Sequence, residues 1–181
     1  MTKKELLNAR HIDIIINRLA CELIENHGNF ENSVLIGLQP RGVHLLPRLI
    51  NRLHPNGVAK VESGSLDTTF YRDDFRRRSE PIKPNQTVIN VLLENKKVVF
   101  VDDVLFTGRS VRSAMDAILS FGRPSEMELL VLIDRRFSRE LPIQPDYTGK
   151  QVDSLASQKV LVEWEEEQEK DVVYLLKTEN E

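Results

Sequence analysis

Apolar positions along the chain follow two alternating patterns. Unbroken, largely β-branched runs at Val34–Leu38, Val98–Val101 and Met127–Ile133 predict buried strands. Between them, apolar residues recur at intervals of three and four. Ile12, Ile15, Ile16, Leu19, Ala20, Leu23 and Ile24 predict an amphipathic helix, capped by Asn8 and ended near Gly28. Val43, Leu46, Leu49, Ile50 and Leu53 predict a second helix. Val111, Ala114, Met115, Ile118 and Leu119 predict a third, stopped by Gly122 and Pro124. Lys4–Leu7, Val160–Val162 and Val172–Leu176 read as further strands. Val58–Val61 and Thr68–Tyr71 read as extended segments with Gly64 between them.

Strand, loop, helix is thus the repeating unit, which predicts an open α/β sheet. Such folds bind ligands in the loops beyond the carboxyl ends of their strands. Three loops qualify. The first follows Val98–Val101: two carboxylates, Asp102 and Asp103, precede the small-residue turn Thr107-Gly108-Arg109-Ser110. Backbone N–H groups of such a turn, at a helix N-terminus, suit an anion, and Gly108 permits close approach. The carboxylates cannot hold a phosphate; they suit ribose hydroxyls, directly or through a hard cation. Phosphate and ribose side by side imply a sugar-phosphate ligand. A strand–helix turn with merely solvated aspartates is the bland alternative.

The second loop, Gln39-Pro40-Arg41-Gly42, offers Arg41 and nearby amides to another anion. The third runs from Asp134 to Gly149, and a long loop over a ligand site usually sets specificity. The charge-dense stretch Tyr71–Arg78, continuing to Pro84, reads as a lid over a polyphosphate, against the simpler reading of a surface hairpin. Glu163–Glu169 reads as a solvated turn, and Trp164 as packing.

Bulk properties narrow the picture. A length of 181 residues suits one domain, 1–181, and 40% hydrophobic residues supply an ordinary core. A formal charge of −3 excludes a global polycation, so any nucleic-acid site must be a local patch. The single cysteine, Cys21, rules out an internal disulfide and fits a reducing cytosol. No stretch reaches membrane-spanning length and none has a signal-peptide pattern, so a cytoplasmic protein without membrane attachment is expected.

The stretch Val101-Asp-Asp-Val-Leu-Phe-Thr-Gly-Arg-Ser-Val-Arg-Ser113 closely resembles the 5-phosphoribosyl-1-pyrophosphate (PRPP) signature of the phosphoribosyltransferases. Thr-Phe-Tyr-Arg-Asp-Asp at 69–74, Gly-Arg-Pro at 122–124 and the fragments of Arg139–Lys150 extend the likeness. Together they resemble the family of bifunctional pyrimidine operon regulators and uracil phosphoribosyltransferases, the PyrR family. The resemblance implies a type I phosphoribosyltransferase fold: a central, mainly parallel sheet flanked by helices, with a small hood. It implies the reaction of uracil with PRPP to give UMP and pyrophosphate, with Mg²⁺ as cofactor. PRPP would be held by Pro40, Arg41, Gly42, Tyr71, Arg72, Asp102, Asp103, Val104, Leu105, Phe106, Thr107, Gly108, Arg109 and Ser110. Catalysis would fall to Asp102, Asp103, Arg41 and Arg72. A metal would meet Asp102 and Asp103 through substrate, and Asp134, Arg135 and Arg136 would frame the base.

The same likeness implies a second partner, pyrimidine-operon leader RNA, met by Arg18, Arg139 and Lys150, and a homodimer or higher homo-oligomer. Three departures bear on that half. Cys21 stands where RNA-binding members have histidine, and Gln144 where they have arginine. The Asp134–Arg139 stretch is one residue longer and lacks its histidine. A purine (hypoxanthine or guanine) phosphoribosyltransferase without RNA binding is the competing expectation. The pyrophosphate loop of this fold often carries a cis or strained peptide. Gln39–Pro40 is the position for one, although most X–Pro bonds are trans.

Overall fold

The computed structural model describes residues 2–71, 85–155 and 157–177. The elements run β1 (Thr2–Leu7), α1 (Ala9–His27), β2 (Ser33–Leu38), α2 (Gly42–Leu53), β3 (Glu62–Leu66), β4 (Lys97–Leu105), α3 (Arg109–Ile118), β5 (Glu126–Arg136), β6 (Tyr147–Asp153), β7 (Gln158–Glu163) and β8 (Val172–Lys177). Five strands form a parallel sheet in the order β3-β2-β4-β5-β6. The other three form an antiparallel sheet, β1-β8-β7.

Strand periodicity divides the core in two. Leu35, Val99, Val101, Leu130 and Leu132 face α1, α2 and the inner side of the antiparallel sheet. Val34, Ile36, Val98, Phe100, Leu129 and Val131 face α3. All six residues of β2 are buried, as expected where helices cover both faces of a parallel sheet. The Asn8 side chain accepts the His11 N–H at 3.0 Å and starts α1; the Gly28 N–H donates to the Ile24 carbonyl and ends it. Gly42 begins α2 where a Cβ would land on the Val101 carbonyl oxygen, so only glycine lets this helix start against β4.

The structure corrects several expected boundaries. Neither 58–61 nor 68–71 is a strand; β3 lies between them with Gly64 opposite Ile36, and Thr69–Tyr71 is a short 3-10 turn. Gly64 is not a break. A Cβ there would press on the Val88 carbonyl, so the glycine marks close backbone approach inside a strand. β4 runs on to Leu105, so Asp102 and Asp103 lie in the strand rather than after it. β5 likewise continues through Asp134, Arg135 and Arg136, and β6 begins at Tyr147, inside the expected loop. Ladder pairing explains this. Leu105 stays in register with Asp134, and Arg136 with Asp153, whatever the polarity of their side chains. Arg72 and the expected lid lie outside the described residues.

Two further features differ from or sharpen the expectations. The turn after β7 is not simply solvated: Glu166 and Asp171 bind Arg48, and Glu167 meets His44. Arg48 in turn lies 4.6 Å over the ring of Trp164, which is fully buried. The Gln39–Pro40 peptide bond is cis.

Candidate active site at the carboxyl ends of the parallel strands

Because β2, β4 and β5 are adjacent and parallel, their carboxyl ends bring all three predicted loops to one edge of the sheet. The acid pair sits at its centre. Asp103 is 5% exposed, and its Oδ2 lies 3.8 Å from Nη1 of Arg41. The same Arg41 nitrogen donates to the Val162 carbonyl at 2.8 Å, which ties the β2–α2 loop to the antiparallel sheet. Asp102 turns its carboxylate back to accept the Asp103 N–H at 2.9 Å.

Burial dominates the electrostatics of the pair. It pushes the Asp103 carboxyl up from 3.8 to about 6, against the pull of Arg41. Burial also raises Asp102 well above the usual carboxylate range, with the neighbouring Asp103 charge adding to the shift. Burial disfavours the charged form of both acids, and a cation brought near them would favour it.

Beyond them, β4 ends and the chain turns through Thr107 and Gly108. Gly108 has φ 92°, the left-handed region where a side chain is strained, and α3 starts at Arg109. The Arg109 N–H reaches Thr107 Oγ1 at 3.4 Å. A Cβ at Gly108 would also crowd Ile143 and Leu141 of the loop after β5, at 3.3–3.5 Å.

The structure separates the residues expected around the base. Asp134 is buried, and its carboxylate is bound by Arg139. Arg135 is buried too, but its guanidinium donates to Ser154 Oγ at 2.8 Å and the Gln158 carbonyl at 2.8 Å. It also lies 3.9 Å from the centroid of the Phe106 ring. Arg136 is exposed and pairs with Asp153 through two hydrogen bonds, at 2.6 and 2.8 Å. A cavity of about 430 Å³ opens beside Asp134, Arg136, Phe137, Arg139 and Gln144. Phe137, at φ 66°, is 82% exposed at its rim. Tyr71 lies against α3, its hydroxyl 3.2 Å from Ser120 Oγ and its carbonyl accepting from Ser113.

Arg18 reaches β6, the strand that carries Lys150, donating to the Thr148 and Gly149 carbonyls at 2.9 and 2.7 Å. Arg139 binds Asp134 and the Phe106 carbonyl and lines the same cavity as Thr148. Sequence reasoning missed the roles of Arg135, Arg48 and the Val162 carbonyl. Arg135 was expected in the loop framing the base; only the extension of β5 through Arg136 puts its guanidinium inside the fold, where it needs several acceptors.

Among the described residues no group of three or more acidic, histidine or cysteine side chains could hold a metal ion by itself. Asp102 and Asp103 supply only oxygen donors. That set fits a hard cation drawing most of its oxygens from a bound ligand.

Comparison with known proteins places this geometry. Residues 2–167 match the model of the phosphoribosyl transferase domain. The chain is 39% identical over 177 residues to the bifunctional protein PyrR of Enterococcus faecalis, covering 98% of each chain. It is 38% identical over 179 residues to that of Bacillus subtilis, again covering 98% of each. The chain belongs to the PyrR family. Among solved structures, the hypoxanthine phosphoribosyltransferase of Trypanosoma cruzi covers 97% of each chain with a TM-score of 0.73. That enzyme is only 17% identical, so it speaks for the type I phosphoribosyltransferase fold and not for the base. In this fold the antiparallel β1-β8-β7 sheet of the PyrR-family chain is the hood.

Proposed function

We propose that this PyrR-family chain transfers the phosphoribosyl group of PRPP to uracil, giving UMP and pyrophosphate. The observation that carries the reading is the acid pair at the end of β4, with Arg41 on one side and the Thr107–Ser110 turn on the other. The 5′-phosphate sits on that turn. Asp102 and Asp103 meet the ribose hydroxyls, and Arg41 with the loop at Pro40 and Gly42 meets the pyrophosphate. Asp134 and the cavity beside it take the base. Tyr71 joins from the segment that follows β3, and Arg72, the next residue in the chain, is proposed from its sequence position alone as a further cation for PRPP.

The bond from C1 to the pyrophosphate oxygen breaks as the bond from C1 to uracil nitrogen forms, and the nitrogen's proton passes to the departing pyrophosphate. Positive charge develops on the ring in the transition state, as in other displacements at a sugar C1. Asp102 and Asp103 lie where ionised carboxylates would favour that charge, and Arg41 where it would favour the leaving pyrophosphate. Positioning supplies the rest. Mg²⁺, held chiefly by PRPP oxygens with Asp102 and Asp103 nearby, supplies charge neutralisation when bound.

The second activity we propose is regulatory: binding of pyrimidine-operon leader RNA in response to UMP, in the reducing cytosol that Cys21 suits. Relatives named as bifunctional favour it. Its cationic contacts are Arg18 and Lys150, and a homodimer or higher homo-oligomer presents them. A panel of uracil, hypoxanthine, guanine and orotate with PRPP and Mg²⁺ tests the enzyme. Turnover confined to uracil is expected; preference for a purine overturns the reading in favour of a purine phosphoribosyltransferase.

A further inference from the structure

The turn that follows β4 is gripped from behind. Phe106 and Thr107 each carry a carbonyl that must find a donor. The Phe106 carbonyl accepts from Nη1 of Arg139 at 2.6 Å. The Thr107 carbonyl accepts the Glu140 and Leu141 N–H groups at 3.0 and 3.3 Å. Every donor comes from one short stretch of the loop after β5. The other arm of Arg139 binds the buried carboxylate of Asp134. A side pair reinforces the grip, with Arg109 Nε donating to Glu140 at 2.6 Å.

Peptide planarity turns this into a statement about the opposite face. In a trans peptide the C=O and the following N–H point in opposite directions. Drawing the Phe106 and Thr107 carbonyls toward the loop after β5 therefore turns the Thr107 and Gly108 N–H groups away from it. Those two N–H groups open the turn read above as the sugar-phosphate site. An anion site built of amides needs its carbonyls anchored elsewhere, or they would swing in and repel the ligand.

The geometry points to Arg139 as a positioning residue for PRPP: it holds the Phe106–Arg109 turn in its anion-accepting orientation and links that turn to Asp134 on the base side. The inference rests on the proposed reading of the turn. It assigns Arg139 a role different from the nucleic-acid contact expected of it from sequence. Its guanidinium is engaged on two internal acceptors, and its side chain is 22% exposed. Only a planar fork serves two acceptors set apart in this way; lysine, a single point charge, serves one well.

The test measures PRPP affinity by titration calorimetry at fixed Mg²⁺, for the full chain and for Arg139→Ala and Arg139→Lys. Hydrogen bonds with a charged partner contribute enough that Arg139→Ala should bind PRPP about ten- to hundredfold more weakly. Arg139→Lys should fall between it and the unaltered chain. Ethylguanidinium added to Arg139→Ala should restore part of the affinity, which a general loss of packing would not allow. Arg139→Ala that binds PRPP as tightly as the unaltered chain overturns the inference. So does a variant whose only defect is weaker leader-RNA binding with a salt slope shallower by about one. Failure of the unaltered chain itself to bind PRPP overturns the reading of the site, and this inference with it.

Discussion

Asp103 should cost the protein stability at neutral pH, and replacing it should return that stability while removing activity. The carboxyl is 5% exposed and its pKa rises from 3.8 to about 6 on folding. The native state therefore holds this proton more tightly than the unfolded chain. Between these two values the folded protein binds more protons, so stability falls as pH rises through the window, and the loss is complete above it. At about 1.4 kcal/mol per pKa unit, the loss amounts to about 3 kcal/mol. Asparagine keeps the shape without the charge but gives up the attraction of Arg41, so we expect Asp103→Asn to gain about 1–3 kcal/mol near pH 8. For a chain of this size that is a rise in Tm of roughly 3–10 °C. The Tm difference between variant and parent should shrink toward zero near the ordinary aspartate pKa of 3.8. Taking the difference cancels titrations common to both, except that of Asp102, which loses the upward push of the Asp103 charge. A difference that is absent at pH 8, negative there, or flat with pH would refute the reasoning. In the same variant kcat/KM should fall steeply, a trade of activity for stability seen where sites hold buried charge.

Three other outcomes follow from the geometry. Asp102→Asn combined with Asp103→Asn should abolish turnover while circular dichroism stays native; near-normal kcat/KM would remove the acids from the ribose. Gly42→Ala should destabilise the fold by about 2 kcal/mol or more and raise KM for PRPP, because its methyl group meets the Val101 carbonyl; denaturant titration reads the first effect. Arg48→Ala should lower stability by about 1–3 kcal/mol, since it removes the ion pairs to Glu166 and Asp171 and uncovers the Trp164 ring; an unchanged midpoint would make that cluster ornamental.

Much of this fold is legible where local chemistry and packing agree. The first helix declares itself through Asn8, a seven-residue apolar stripe and Gly28, and all three do what their positions suggest. The placement of the acid pair and the Thr107–Ser110 turn together at the carboxyl end of one strand was also legible. Strand ends were not. A strand that rises past the core keeps its backbone ladder without needing apolar side chains, so Asp102, Asp103 and Asp134–Arg136 looked like loop. The β6 strand hid for the same reason: Thr148, Lys150 and Gln151 are polar on an edge strand with one neighbour. The partners of Arg41, Arg135 and Arg139 are mostly backbone carbonyls, and any residue can supply a carbonyl. No side-chain pattern advertises such contacts.

The two outermost strands of the parallel sheet, β3 and β6, each have one neighbour within it, and an open strand edge is a template for another chain. At β3 the Ser65–Val88 bridge blunts that edge. At β6 the guard is Arg18, a bulky cation clamped on two main-chain acceptors and itself paired with Glu22. Its charge makes the edge inhospitable to a second strand, so the arginine proposed above as a nucleic-acid contact would also keep copies of the sheet from adding to one another into fibres.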